Sequence, residues 1–338
     1  MEATVLGVIW YFLIFLLIAG YFILDGFDLG VGVLYPFLGR TDGERALMRR
    51  SIGPVWDGNE VWLLTAGGAL FAAFAPAYAT TFSGFYLAIM LVLFGLILRA
   101  VSLEFAHRDP KWIKLWSACF FIGSLLPALL MGVAVGNIYA GIPMDANGDY
   151  SGVPLLGLVT PFTLLTGLLG LAMFCAAGAA WLAAKAPEDS ELYLRAVSAR
   201  RLMQLASIAL FLVVSAYAHL IIHPDMAPEF TVLRGILAVV FLAAVAASLM
   251  MKPLGRGDTP AFLLQSVAAA ALVFLLATSM FPNLVVASAD SIGPSITIAN
   301  AASGDYTLAW MTGIACVGVP LVLVYHFIIY RTFRGRLS

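Results

Sequence analysis

Four carboxylates in two short segments are the residues of this sequence best suited to chemistry. Asp25 and Asp28 occur in "LDGFDLGVG" (24–32), and Asp57 and Glu60 occur in "GPVWDGNEVWLLTAGG" (53–68). Each pair is three residues apart, so in a helix both members lie on one face. A charged carboxylate in the centre of a membrane helix costs at least about 2.5 kcal/mol. These side chains must therefore be protonated, paired, hydrated or functional, and the chemistry that they suggest is proton transfer.

The composition places these segments in a membrane. Of the 338 residues, 62% are apolar and 11% are charged, and the mean hydropathy is +0.98. Such values are typical of integral membrane proteins and lie far from those of soluble domains. A formal net charge of −1, without a basic stripe, excludes nucleic acid as a partner.

Apolar runs long enough to cross a bilayer predict an all-α protein of nine transmembrane helices. A hydrocarbon core of about 30 Å needs about 20 residues per helix. No linker separates domains, so residues 1–338 form a single transmembrane domain. Two four-helix bundles plus one more helix accommodate the count. The predicted spans lie near 6–34, 54–74, 78–99, 115–135, 159–184, 201–222, 232–251, 261–281 and 308–330.

Basic residues sort these spans into one orientation. Every Lys and Arg except Arg234 falls in alternate loops or at the C-terminus. The positive-inside rule makes that side cytoplasmic. The N-terminus is therefore predicted outside and the C-terminus inside. The two long outer loops, 136–158 and 282–307, are rich in Gly, Asn, Pro, Ser and Asp, which predicts ordered turns.

This orientation sets the depth of the acids. At about 1.5 Å per residue, Asp28 lies roughly 10 Å and Asp57 roughly 5 Å from the cytoplasmic ends of the first two spans. Both pairs are thus expected in the inner half of the membrane, along a water-filled route for protons from the cytoplasm. Arg99, at the inner end of the third span, is the nearest candidate for a counter-charge.

Structural roles for the same acids remain open. Asp25 or Asp28 would then accept hydrogen bonds from backbone loosened around Gly26, Gly30 and Gly32. Asp57 would cap the second span near its N-terminus, where carboxylates are favoured. The glycines themselves are expected to permit close helix contact.

Histidines and tryptophans are weaker candidates. His107, His219, His223 and His326 occur without nearby acidic ligands or an HExxH pattern, so we expect interfacial or packing roles and no metal site. Trp56 and Trp62 flank the acidic pair. They are candidates for contact with a quinone or a partner helix, and packing is the preferred interpretation.

Four segments of the first half resemble one family, the subunit II chains of cytochrome bd quinol oxidases. The segments are "DGFDLGVG" (25–32), "GPVWDGNEVWLLTAGGALFAAFAPAYATTFSGFY" (53–86), "LRAVSLEF" (98–105) and "GSLLPALLMGVAVGN" (123–137). The resemblance is dense over about 5–140. Beyond that range, the helix count and "FPNLVVAS" (281–288) are compatible with it.

The resemblance implies a respiratory oxidase that oxidises quinol and reduces O2 to water. It implies a heterodimer in the bacterial cytoplasmic (inner) membrane, in which subunit I carries haems b558, b595 and d. It further implies two four-helix bundles plus a peripheral helix, a small single-helix accessory subunit and, in some relatives, a structural quinone in subunit II. The aspartate of the W-D-G-N motif, here Asp57, is placed by the resemblance in the proton route. Relatives can carry Gln in place of Glu60, which makes Glu60 the less secure member.

Two other classes of protein could also carry acids in membrane helices. A proton-coupled transporter would hold the four acids at a midplane site in broken helices. The second half of the chain, however, has no matching interrupted acidic helix. A purely structural scaffold would leave the buried acids unexplained.

Overall fold

The computed structural model describes residues 3–222, 230–251 and 257–337, and it is built almost entirely of helices. A two-stranded antiparallel ladder of β1 (Asn283–Val285) and β2 (Ile296–Thr297) lies between the last helices. The helices are α1 (Val5–Leu38), α2 (Asp42–Ile52), α3 (Trp56–Ala73), α4 (Ala75–Gly84), α5 (Tyr86–Phe105), α6 (Ile113–Ala140), α7 (Pro161–Lys185), α8 (Glu191–Tyr217), α9 (Thr231–Met250), α10 (Asp258–Met280), α11 (Ile298–Ala301) and α12 (Asp305–Thr332).

Eight helices within the described ranges are long and apolar enough to cross a membrane. They are α1, α5, α6, α7, α8 with its terminal π-helical turn, α9, α10 and α12. These helices correspond to eight of the nine predicted spans. The remaining span, predicted at 54–74, is helical as α3. It is not one of the eight, because Asp57, Asn59 and Glu60 make its first turns polar.

The helix boundaries differ from the predictions where charge or a kink enters the chain. The span predicted at 78–99 is divided at Phe85 into α4 and α5, and α5 continues past Arg99 to Phe105. Helix α8 begins at Glu191, well before the predicted 201. Its first turns carry arginines that hydropathy assigns to a loop. The short helix α2 was not predicted, because its residues are mainly polar.

Helix α1 is at the centre of the first group of helices and packs against α3, α6, α7 and α10. Its backbone is helical throughout 24–32, so the suggestion of loosened backbone around the glycines is wrong. A Cβ at Gly30 would lie 1.8 Å from the carbonyl oxygen of Phe174, and one at Gly32 would lie 1.9 Å from Ser124 Oγ. The predicted role of these glycines in close helix contact is confirmed.

The remaining helices form a second group with one helix at the side. Helices α7 to α10 each pack against the next, and α10 returns to α7. Helix α12 lies against α1 and α3. The residues it buries are Leu308 and His326, so most of its surface faces outward.

One end of the molecule, called the basic end here, is where α1, α7 and α12 end and α8 and α10 begin. The Lys185 ammonium donates to the carbonyl oxygen of Phe333 at 2.5 Å. Arg195 Nε donates to the Leu38 carbonyl at 3.0 Å, and Arg336 Nη2 donates to Asp258 Oδ2 at 2.8 Å. These contacts tie the ends of five helices together.

The two long connections at the opposite end pack on each other. The Ile142 amide donates to the Val286 carbonyl, and the Ser288 amide donates to the Ile142 carbonyl, both at 3.0 Å. The Ile292 amide donates to the Met144 carbonyl at 2.9 Å. Since these loops satisfy one another's backbone groups, they are ordered turns, as predicted.

Candidate functional site: a buried carboxylate and guanidinium cluster

The guanidinium of Arg99 joins carboxylates from two other helices. Arg99 Nη2 on α5 lies 2.8 Å from Asp25 Oδ1 on α1 and donates a hydrogen bond to Glu60 Oε2 on α3 at 3.0 Å. Asp25 and Arg99 have no exposed surface. The counter-charge expected from the sequence therefore lies in direct contact with one member of each acidic pair.

Asp28 is held by a second chain of contacts beside this cluster. Asn59 Nδ2 donates to Asp28 Oδ2 at 2.7 Å, and the Tyr330 hydroxyl of α12 donates to Asn59 Oδ1 at 3.0 Å. Asp28 and Asn59 are fully buried. The side-chain amide of Asn59 thus connects Asp28 of α1 to Tyr330 of α12.

The acids form a series of increasing exposure. Asp25, Asp28 and the Arg99 guanidinium are fully buried, while the Glu60 side chain is 25% exposed. Asp57 is exposed, in the first turn of α3. Its carboxylate is not in contact with the Arg99 cluster, so the structure unites three of the four predicted acids.

Helix geometry explains why Asp57 and Glu60 separate. The buried residues of α3 include Asn59, Trp62 and Ala66, which are spaced three and four residues apart and mark the inward face. Each residue of an α-helix is rotated by about 100° about the helix axis from the one before it. Glu60 therefore lies about 100° from Asn59 and reaches Arg99 from the edge of the inward face. Asp57 lies about 200° from Asn59 in the other direction and points outward.

The cluster contains buried polar atoms that form no hydrogen bond with the described residues. Asp28 Oδ1, Arg99 Nε and Arg99 Nη1 are buried without a hydrogen-bond partner among them. Buried polar groups in proteins are rarely left in that state and ordinarily bind ordered water. The arrangement is that of a polar site with unpaired donors and acceptors inside an apolar bundle.

Trp62 has its partners within this chain. Its Nε1–H donates to His326 Nε2 at 3.3 Å, and His326 Nδ1 lies 2.9 Å from the Val322 carbonyl oxygen. This arrangement fixes α12 against α3 and fits the packing interpretation of Trp62. Trp56 is half-buried against the core of the first group. Its contact with a quinone or a partner helix stays a prediction.

Two of the other histidines, His107 and His219, form no contact with the cluster. His107 and His219 are exposed, and His223 falls outside the described residues. Within the described ranges, no group of three His, Cys, Asp or Glu side chains is placed to hold a metal ion.

A second buried charge cluster at the basic end was not anticipated from the sequence. Asp258 accepts hydrogen bonds from the Tyr193 hydroxyl at 3.0 Å and from Arg336 Nη2 at 2.8 Å. Arg200 Nη1 lies 3.6 Å from Asp258 Oδ1, and both side chains are almost completely buried. The sequence offered one signal for this cluster: Asp258 at the start of one apolar run, and Arg200 and Arg336 beside two others.

Asn59 and Tyr330 were also missed. Asn59 lies three residues before Trp62, a spacing that places both on one helical face. Tyr330 brings a hydroxyl to the end of an apolar helix. In each case the residue type was visible, but the partner depended on how two helices are rotated against each other.

A multi-pass helical bundle with an acid–arginine cluster buried between three helices is typical of membrane proteins with a functional polar site among their helices. The chain belongs to the family of cytochrome bd terminal oxidase subunit II, whose model matches residues 6–333. It is therefore a subunit of a respiratory oxidoreductase complex, the cytochrome bd ubiquinol oxidase, rather than a proton-coupled transporter.

Relatives match along the full length of the chain. Cytochrome bd-I ubiquinol oxidase subunit 2 of Escherichia coli K12 is 35% identical over 367 aligned positions, which cover 100% of this chain and 96% of that protein. Cytochrome bd ubiquinol oxidase subunit 2 of Bacillus subtilis is also 35% identical, with 98% and 96% covered. A chain in the structure of bd oxidase from Geobacillus thermodenitrificans shares the fold, with a TM-score of 0.80 at 16% identity over 98% of this chain and 99% of that one.

Proposed function

We propose that this chain supports assembly of the haem-bearing subunit I and provides protons from the cytoplasm with a route toward it. The family resemblance supplies the rest of the complex: haems b558, b595 and d in subunit I, and a small single-helix accessory subunit. It also supplies the bacterial inner membrane as the location. A structural quinone in this chain is part of the same proposal.

The observation that carries the proton route is the sharing of Arg99 between Asp25 and Glu60. The contact links a fully buried carboxylate to one whose side chain is 25% exposed. Three carboxyl groups, Asp25, Asp28 and Glu60, surround this one guanidinium. With all three ionised the cluster would carry an excess of negative charge in a medium of low dielectric constant, where such charge is costly. The cluster is thus suited to take up protons and release them.

The outer face of α3 supports the assembly role. Exposed apolar side chains on α3 include Val61, Leu64 and Phe71, and Gly68 of the same face has no other atom within 4 Å of its Cβ position. Glu60 reaches the edge of this face. A carboxylate at the edge of a hydrocarbon-facing surface is unfavourable. A protein partner covering α3 would remove that cost, and subunit I is the partner that the family provides.

The basic end supports the predicted topology. Leu38, Lys185, Asp258 and the segment after α12 meet there, as they must if the corresponding spans alternate in direction. Positive charge on that side makes it cytoplasmic. Helix α3 has 18 residues, enough to cross most of a bilayer core. We infer that it is the ninth span, inserted beside subunit I. The packing of the helices supports the proposed two bundles, with α12 at the periphery.

The proton route is tested by neutral substitutions that preserve shape. Asp25→Asn and Glu60→Gln are each expected to lower quinol-driven O2 consumption of the purified complex at least tenfold, because each removes a site that holds a proton. Asp57→Asn is expected to lower it less, since Asp57 lies outside the Arg99 cluster. Haem absorbance of the assembled complex should stay near that of the unsubstituted protein.

Glu104→Gln is the matched control. Glu104 also lies on a membrane helix, but it is exposed and pairs with Arg108 at 3.9 Å on the surface. Its loss should leave O2 consumption unchanged. Full activity of Asp25→Asn and Glu60→Gln in complexes with normal haem content would contradict the proposed route and leave the cluster a structural role.

A further inference from the structure

Two adjoining cavities open at the basic end, between α1, α7, α10 and α12. The smaller has a volume of about 200 Å³ and the larger about 560 Å³. The larger lies within the range of about 300–1,000 Å³ that is usual for ligand sites. Both are lined by Trp181, Lys185, Tyr330, Arg334 and Arg336, so the two cavities share a wall.

The larger cavity is an apolar groove along the membrane-spanning part of the bundle. Ile23 and Leu24 of α1 form one wall, and Phe262 and Leu263 of α10 form the other. Leu263 is exposed on the outer surface. The groove therefore runs beside the position of the hydrocarbon and suits an alkyl chain.

The end shared by the two cavities is strongly basic. Lys185, Arg334 and Arg336 line both spaces, and Arg50 lines the smaller one as well. Asp258 is the acidic residue in the wall of the larger cavity. Its Oδ2 already accepts hydrogen bonds from Arg336 and Tyr193, so positive charge remains in excess at this end.

Lys185 carries most of the argument. It is only 7% exposed, and its ammonium donates to the neutral carbonyl oxygens of Phe333 and Gly335 at 2.5 and 3.4 Å. No carboxylate among the described residues forms an ion pair with it. A buried cation without an anion is costly. An anionic group in the cavity would offset this cost.

We propose that this space binds an anionic glycerophospholipid of the adjacent leaflet. Its phosphate would contact Lys185 and the exposed Arg334, and one acyl chain would lie in the groove between α1 and α10. Basic pockets between membrane helices on the cytoplasmic side are suited to such headgroups. A quinone head carries no charge to match these cations, and free phosphate has no use for the groove.

The binding test uses the complete complex purified in detergent, so that no part of it has to fold alone. Native mass spectrometry with added phosphatidylglycerol should show saturable binding. Phosphatidylcholine of the same acyl composition should bind at least tenfold more weakly. The double substitution Lys185→Gln/Arg334→Gln should raise the Kd for phosphatidylglycerol at least tenfold.

Two further variants keep the test decisive if Lys185→Gln disturbs the C-terminal segment. Arg334→Gln alone changes an exposed side chain and should raise the Kd severalfold. Ser266→Trp fills the groove and should weaken phosphatidylglycerol binding at least tenfold without changing any charge. Lys111→Gln/Lys114→Gln removes two exposed cations elsewhere and should leave binding unchanged.

Three results would overturn the proposal. Equal affinity for phosphatidylcholine would show that charge is irrelevant. An equal loss of binding in Lys111→Gln/Lys114→Gln would show diffuse surface attraction. Complete competition by millimolar inorganic phosphate would show a headgroup site without a role for the groove.

Discussion

Asn59 holds Asp28 through a pair of contacts that use both the donor and the acceptor of its side-chain amide. Its Nδ2 group donates to Asp28 while its Oδ1 atom accepts from Tyr330. An aspartate at this position could not donate to Asp28 when ionised. The amide therefore fixes the orientation of Asp28 without adding charge to a site that already has more carboxyl groups than cations.

Replacing Asn59 tests this positioning role. Asn59→Leu removes both hydrogen bonds and leaves two buried polar groups without them, at a cost of about 1–3 kcal/mol each. Tyr330→Phe removes one bond and should cost about 1 kcal/mol. Both should lower the apparent unfolding temperature of the purified complex, with Asn59→Leu the more severe.

Tyr325→Phe provides the comparison, since Tyr325 is an exposed tyrosine five residues before Tyr330 on α12. It should unfold at the temperature of the unsubstituted complex. Unchanged unfolding of Asn59→Leu would mean that Asp28 finds its partner elsewhere and that Asn59 is not a positioning residue.

At this scale the sequence identified residue types better than pairings. The acids and Arg99 were recognisable because charge is rare in apolar segments. The contact of Arg99 with Asp25 and Glu60, and not with Asp57, depends on the rotation of α3 about its axis. That rotation is set by the packing of Asn59 and Trp62 against α1 and α12, which no local pattern in 53–68 reveals.

Glycines set the distance between α1 and α7. Gly30 faces the backbone of Phe174, while Gly178 faces the backbone of Gly30. Small residues permit this close approach in a membrane, where dispersion contacts and not water exclusion hold helices together. The spacing of the glycines in "DGFDLGVG" predicted such a contact, although not which helix would supply the other side.

A methyl group at this contact should separate the two helices. In Gly30→Ala the added carbon would lie 1.8 Å from a backbone oxygen, and neither backbone can yield without moving its helix. Overpacking of this kind costs about 1–3 kcal/mol or more. We expect less haem-containing complex in the membrane and a lower apparent unfolding temperature.

Gly235→Ala in α9 is the control, because no other atom lies within 4 Å of its Cβ position. It should assemble normally. If Gly30→Ala also assembled normally and kept the unfolding temperature of the unsubstituted complex, α1 and α7 would have room to move apart.

Elements were predictable where hydropathy and charge agreed. Long apolar runs such as α6 and α10 appear within a few residues of their predicted bounds. The start of α8 and the whole of α2 could not be predicted in this way. Helices that extend past the hydrocarbon carry polar residues, which a hydropathy criterion rejects. The division of α4 from α5 at Phe85 likewise has no signal in mean hydropathy.

Across the whole molecule, the two groups of helices are joined at the basic end by charged side chains. Arg195 of α8 donates to the Leu38 carbonyl at the end of α1 and pairs with the Glu44 carboxylate of α2. Glu44 also accepts hydrogen bonds from the backbone amides of Arg40 and Thr41. The stability of the basic end therefore depends in part on the ionised form of Glu44.

That dependence predicts a pH effect whose sign follows from Glu44. Partial burial acts to raise its pKa, but the hydrogen bonds from Arg195, Arg40 and Thr41 outweigh it and lower the pKa below its ordinary value. A group with a lowered pKa stabilises the folded state above its unfolded pKa, about 4.3 for Glu, and loses that contribution as the pH falls through the folded pKa. The Glu44 and Arg195 side chains are 18% and 16% exposed, so we expect only about 1 kcal/mol.

The measurement compares Glu44→Gln with the unsubstituted complex across pH. At pH 7 the variant should unfold at a lower temperature, and the difference should shrink below about pH 4.3, where Glu44 is half protonated in the unfolded chain. Asp42→Asn on the same helix is the control, because the structure gives Asp42 no ion-pair partner among the described residues. A difference that persists unchanged to low pH would show that the Glu44 side chain stabilises the basic end by shape and not by charge.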